Sequence, residues 1–266
     1  MNVSLGRTVM IAALALLVAG CSSASRAAQN GPLTASHPIT LFAERFDRPN
    51  GVLTNEYAFW NPSRRGAVRS SRWEMTSGSL FVKDHMGWTG VPDDRSPDAY
   101  SRRGNNSAIF RLTTRQSNFG NVIISMRLRP LDLTDTPKTP PVAWDGIHVF
   151  VHYETQRSLY YASVYRRDGR IDIKKKVPGG NANGGTYYTL ASGRHRLPLG
   201  RWSRVAVTVD ATGPGAVHIA MLIDGRQVLS ATDTGTGGRP PITSGKVGLR
   251  GDNCNFLFDD FVVAQL

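Results

Sequence analysis

The chain has little cysteine: its 266 residues include only Cys21 and Cys254. At most one disulfide is possible, which excludes a disulfide scaffold, and stability has to come from a packed core. The longest apolar run, residues 9–18, is about half the roughly twenty residues an α-helix needs to cross a bilayer core. No Gly-x-Ser-x-Gly elbow, His-Glu-x-x-His helix or Glu-x-Asp-x-x-Glu strand occurs. These gaps remove the commonest esterase and metalloprotease signatures and the paired carboxylates of one glycosidase type. The Gly-Gly-Asn-Ala-Asn-Gly-Gly stretch at 179–185 lacks the Lys-Ser/Thr of a nucleotide-binding loop and reads as a rim loop. No fixed-period repeat is present, which argues against a solenoid or propeller.

What is present begins with an address label. One positive charge at Arg7, an apolar stretch and the small pair Ala19-Gly20 precede Cys21, the layout of a signal peptide. The segment Leu17-Val18-Ala19-Gly20-Cys21 resembles the lipobox of bacterial lipoproteins. That resemblance implies cleavage before Cys21, a diacylglyceryl group on Cys21, a membrane-anchored chain and an extracytoplasmic location. Two acyl chains at about 0.8 kcal/mol per buried methylene hold a protein on a bilayer. Residues 1–20 are then the signal peptide and 21–38 a lipidated cysteine with a Ser/Ala/Gly/Asn-rich tether. The folded domain occupies 39–266, long enough for one large core.

The domain reads as all-β. Val122, Ile124, Met126 and Leu128 alternate with Ser125, Arg127 and Arg129, so the two sets face opposite ways. Ile147, Val149 and Val151 oppose Trp144, His148, Phe150 and His152. Tyr160, Ala162 and Val164 oppose Tyr161, Ser163 and Tyr165, and Ile171 and Ile173 oppose Asp172, Lys174 and Lys176. These three runs, with a turn at Asp168-Gly169, predict consecutive antiparallel strands. Later alternations at 205–209 and 217–223, the Asp224-Gly225 turn and a closing strand at 256–263 extend the pattern. Cys254 is expected to pack in a strand as a small apolar group. The first third, with Trp60, Trp73 and Trp88, reads as loops around one end.

Leu199-Gly200-Arg201-Trp202-Ser203-Arg204-Val205, then Met221-Leu222-Ile223-Asp224-Gly225-Arg226-Gln227-Val228, then 245–251 and Phe258-Asp259-Asp260-Phe261, resemble the concanavalin A-like, laminin-G-like jelly-roll superfamily. Glu44-Arg45-Phe46-Asp47 resembles its first strand. Residues 54–62 and 174–180 also resemble an uncharacterised actinobacterial secreted group, with keto-disaccharide hydrolase domains as a neighbouring branch. The resemblance implies a β-sandwich of two antiparallel sheets whose concave face binds saccharide.

On that expectation Trp144, His148, His152, Tyr161, Tyr165, Lys174 and Lys176 share one face, with Arg127 and Arg129 beside them. Aromatic rings stack on sugar rings, and Lys and Arg pair with acidic substituents. The chain carries 32 Lys and Arg against 20 Asp and Glu, and export directs that charge to anionic polysaccharide or other envelope polymers rather than nucleic acid. Three functions stay open: a non-catalytic glycan-binding lipoprotein, a polysaccharide lyase or glycoside hydrolase, and a structural envelope protein. For the enzyme, His148 as base, Tyr161 as proton donor and Arg127 as neutralising group form the candidate set. His148 and His152 stand about 13 Å apart on a strand and do not chelate one metal. The resemblance further implies a structural calcium between first and last strands, with Glu44, Asp47, Asp259 and Asp260 as donors; a salt bridge with Arg45 or Arg48 is the alternative. Both sugar readings require Trp144, His148, Tyr161 and Lys174 to meet on one open sheet face.

Overall fold

A computed structural model describes residues 38–93, 105–137, 139–211, 213 and 215–266. Cys21 and the segments expected to be signal peptide and tether lie outside the described residues. Strands β1 (Thr40–Glu44) and β2 (Gly51–Asn55) come first, followed by the one-turn helix α1 (Tyr57–Trp60). Next are β3 (Trp73–Ser77), β4 (Ser79–Lys83) and β5 (Met86–Trp88). A small parallel pair, β6 (Val91–Asp93) and β7 (Asn105–Ser107), precedes β8 (Ile109–Thr114) and the long β9 (Val122–Leu133). The middle of the chain is β10 (Gly146–Thr155), β11 (Ser158–Arg166), β12 (Arg170–Pro178) and β13 (Gly185–Arg194). The last third is β14 (Ser203–Asp210), β15 (Val217–Ile223), β16 (Arg226–Asp233), β17 (Lys246–Asp252) and β18 (Cys254–Gln265).

These strands form two antiparallel sheets, a jelly-roll β-sandwich. One runs β16-β15-β14-β9-β18-β5-β4-β2, with β1 also on β18; the other runs β13-β12-β11-β10-β17-β8-β3. The period-two sets face each other across the core. Val122, Ile124, Met126 and Leu128, with Val205, Val207 and Val209, line one inner face; Ile147, Val149, Val151, Ala162 and Ile173 line the other. The β15–β16 hairpin turns at Asp224 (φ 50°) and Gly225 (φ 80°). Two consecutive positive φ values make a type I′ turn, whose twist matches its strands.

The first third departs from the loop expectation. It supplies β1 to β5 and part of the core: Trp73 is fully buried, edge-on to Phe42 and Phe261 with ring centroids 5.0 and 5.1 Å away. Each such ring buries enough apolar surface to contribute about 2 kcal/mol or more. Trp60 is exposed, while Trp88 sits on β5 and donates to Asn255 Oδ1 at 2.7 Å. Cys254 is buried and free.

Candidate functional site

Cross-strand register lays out the outer face of the seven-stranded sheet in rows. One row runs Arg111 (β8), Arg250 (β17), His148 (β10), Ser163 (β11), Asp172 (β12) and Ser192 (β13). The next carries Phe150, Tyr161 and Lys174, and a third carries Leu159, Lys176 and Tyr187. Over these rows lies a cavity of about 340 Å³, lined by Trp144, His148, Tyr161 and Lys174 together with Arg166, Arg250, Asp252, Tyr187 and the loop residues Ala182 and Asn183. His148, Tyr161 and Lys174 therefore meet on one sheet face, and Trp144 joins them from the turn before β10.

Each wall has a local cause. Trp144 sits at the rim, 54% exposed, on a turn held by buried Asp145. That carboxylate accepts from Val142 N at 3.0 Å, Asn253 Nδ2 at 3.1 Å and Arg167 Nε at 3.2 Å. The floor is an aromatic chain: His148 meets Tyr161 edge-on at 5.2 Å, and Tyr161 meets Tyr187 edge-on at 5.3 Å. The glycine-rich 179–185 loop joins β12 to β13 and brings Asn183 over the face.

His148 is buried, with both ring nitrogens engaged. Nδ1 lies 2.8 Å from Ser163 Oγ and Nε2 lies 3.2 Å from Asp252 Oδ2. A carboxylate only accepts, so Nε2 carries the proton and Nδ1 accepts from the serine hydroxyl. Burial lowers the His148 pKa against the opposing pull of Asp252, which keeps the ring neutral. Asp252 is also gripped by Arg250 through Nε at 2.7 Å and Nη2 at 2.8 Å. Burial pushes the Asp252 carboxyl up, but Arg250 and His148 more than offset it and hold the group well below the usual carboxylate range. Burial, then the neighbouring Tyr187, drives the Tyr161 hydroxyl far above its ordinary value. Asp-His-Ser composition resembles a hydrolytic triad, but Ser163 is fully buried and does not line the cavity.

Several predicted residues lie elsewhere. Tyr165 fails because β11 carries a bulge: Ile147 pairs with Tyr165 but His148 pairs with Ser163, leaving Val164 as the extra residue. Tyr165 then packs against the core and Arg166 moves onto the outer face, where it binds Asp168 and Asp172. His152, expected on the cavity face, turns inward for a similar reason. It has φ 43° where the β10 ladders break, and its buried ring points to Ile242 O at 2.5 Å and Gly120 O at 3.0 Å, beside the core residue Tyr160. Burial lowers its pKa.

Arg127 and Arg129 do face outward, but from β9, a central strand of the other sheet. Arg127 binds Asp259 and Asp260 and lies over the Trp202 ring. The set His148, Tyr161 and Arg127 is therefore split across the sandwich. Lys176 is on the expected face but buried, its ammonium 4.7 Å from the Tyr187 ring centroid.

The calcium donor set does not fit the ion. Glu44 accepts from Phe46 N, Arg48 and Trp73 Nε1 and lies 3.7 Å from Arg72. Asp259 and Asp260 are bound to Arg127, and Asp47 is exposed in the loop after β1. Among the described residues no group of three or more His, Cys, Asp or Glu side chains is placed to hold a metal ion.

Arg111, Arg166, Tyr187, Arg250 and Asp252 were not anticipated. Alternation past Val247 and Leu249 marks Arg250 and Asp252 as outward-facing. Tyr187 needed the 179–185 loop to be read as a hairpin.

No family model matches the chain, and no curated protein matches it. Solved structures do share the fold. A protein of unknown function with a galectin-like fold from Bacillus subtilis has TM-score 0.50 and 17% identity over 73% of this chain and 89% of its own. β-Agarase B from Zobellia galactanivorans has TM-score 0.50 and 11% identity over 84% and 91%. The carbohydrate-binding module CBM66 from Bacillus subtilis has TM-score 0.47 and 12% identity over 73% and 95%. At their identities the first two show a likeness of fold alone.

Proposed function

We propose that this chain is a non-catalytic glycan-binding lipoprotein, anchored outside the cytoplasm through Cys21, that takes polysaccharide in the cavity on the outer face of the seven-stranded sheet. The observation that carries the reading is the lining of that cavity: Trp144, Tyr161 and Tyr187 lie beside Arg166, Lys174 and Arg250, with Asp252 as the single lining carboxylate. Its size falls within the range of small-ligand sites, mostly apolar with a few fixed polar groups. Each lining cation also has a carboxylate beside it, Arg166 with Asp168 and Asp172, Lys174 with Asp172 and Arg250 with Asp252, so the face offers fixed donors and acceptors to sugar hydroxyls around its aromatic rings. Glycan recognition also accords with a fold that β-agarase B shares.

The same geometry argues against catalysis through His148. Its one lone pair accepts from Ser163 and its one proton is donated to Asp252, so it has no free site for a substrate proton.

Titration of the full chain with acidic and neutral polysaccharides, alongside Trp144→Ala, tests the proposal. The expected result is saturable binding weakened at least tenfold by Trp144→Ala, with no release of reducing or unsaturated ends. Absence of binding to every polymer overturns it.

A further inference from the structure

Beside the large cavity lies a much smaller one of about 10 Å³, sharing Arg250, Tyr187 and Asn183 with it and lined also by Arg111, Lys176 and Tyr153. That space accepts about one water-sized centre. Its charge is unbalanced. Arg111 and Arg250 stand directly opposite each other on β8 and β17, a like-charge pairing that destabilises a sheet. Arg250 is neutralised by Asp252. Among the described residues neither Arg111 nor Lys176 has a carboxylate partner, and the ammonium of Lys176, a residue 2% exposed, lies over the Tyr187 ring.

We infer that Arg111, Lys176 and Arg250 form an oxyanion subsite, in which one oxygen of a carboxylate or sulfate enters the small cavity while its sugar ring occupies the large one. The inference rests on the glycan-binding reading and narrows it to glycans bearing acidic groups. A buried ammonium without a counter-ion is costly, and a ligand oxyanion supplies what the chain omits. The groups facing Lys176 are Arg111 from β8, Arg250 from β17, Tyr153 from β10 and Tyr187 from β13. Burial, then Arg250 and Arg111, lowers the Lys176 pKa to about 8, so a bound anion should raise it. The shared Arg250 and Tyr187 place the two cavities within reach of one substituted sugar.

The test follows the Lys176 side-chain carbon resonance in the full chain during titration with sodium sulfate, sodium glucuronate or glucose at matched ionic strength, with chloride as reference. Either anion, and not glucose, should shift it saturably. Lys176→Met and Arg111→Met should each weaken anion binding at least tenfold, with Lys176→Arg restoring it. A response to sulfate alone supports the subsite and names a sulfate ester; a response to glucuronate names a uronate. A wild-type resonance unmoved by both anions overturns the subsite without recourse to any variant. Glucuronate binding lost in Trp144→Ala but kept in Lys176→Met also overturns it, while leaving the glycan reading intact. A sulfate response in a protein that binds no polysaccharide supports the subsite and removes that reading.

Discussion

Replacing Asp233 by Asn should cost this domain a large share of its stability. Asp233 ends β16 and is fully buried between the sheets, where Lys175 Nζ from β12 lies 2.8 Å away. It also accepts from Tyr160 Oη and from the backbone N–H groups of Gly235 and Thr236 at 3.1 and 2.8 Å. Burial raises its pKa, but Lys175 and Tyr160 outweigh this and bring it to about 2, against an ordinary 3.8. That depression alone corresponds to about 2 kcal/mol of preference for the ionised form. Asn also strands the Lys175 ammonium, and breaking a buried pair typically costs about 3–5 kcal/mol, or on the order of 10 °C in Tm for a domain of this size. The sign with pH follows from the lowered pKa. The contribution is present above pH 3.8 and is lost as pH falls toward 2, so the acid limb should be steeper in the wild type than in Asp233→Asn. Urea unfolding of Asp233→Asn, Lys175→Met and the double variant measures the effect. The double should be more stable than Asp233→Asn alone, because no unpaired ammonium remains. A single-variant loss below about 1 kcal/mol, or strict additivity, would refute the reasoning.

Further outcomes follow from other sites. His148 and His152 both have pKa values lowered from 6.5 by burial; the unfolded chain therefore binds protons below that pH that the native state refuses, and Tm should fall between pH 7.5 and 5.5. A Tm that rises over that interval contradicts the neutral assignment of the His148 ring. At Gly87 a Cβ would sit 2.6 Å from Phe46 Cζ and 2.9 Å from Phe258 Cε1, both in buried rings, so Gly87→Ala should destabilise by about 1–3 kcal/mol in chemical denaturation. Asp145→Ala unties the turn that carries Trp144 and should weaken polysaccharide binding in calorimetry. Unchanged affinity would show that Trp144 is positioned without it.

The faces of most strands were legible in the sequence, because a side-chain period of two needs no knowledge of neighbours. That is why Ile147, Val149 and Val151 are core and His148, Tyr161 and Lys174 share a cavity; Trp144 reaches it from a turn. Errors arose where the period breaks: the extra Val164 in β11 turns Tyr165 inward, and the left-handed His152 does the same in β10. A bulge depends on the partner strand's register, which the local pattern does not encode. Lys175 is the converse case, a charged residue in a core position that its period predicts and its polarity contradicts; Asp233 on the facing sheet, with the carbonyls of Arg239 and Pro240, makes that burial tolerable.

The sequence by itself determined strand character, the inner and outer sets of each strand and the basic charge, all products of neighbouring residues along the chain. Tertiary structure alone decided which strands share a sheet. It sent Arg127 to the far side of the sandwich, and it brought Arg250, Asp252 and Arg111 from the chain's end and middle against His148 and Lys176. The physical reason is that a sheet face is assembled by hydrogen bonds between residues remote in sequence, so the chemistry of the face belongs to the pairing and not to any one strand.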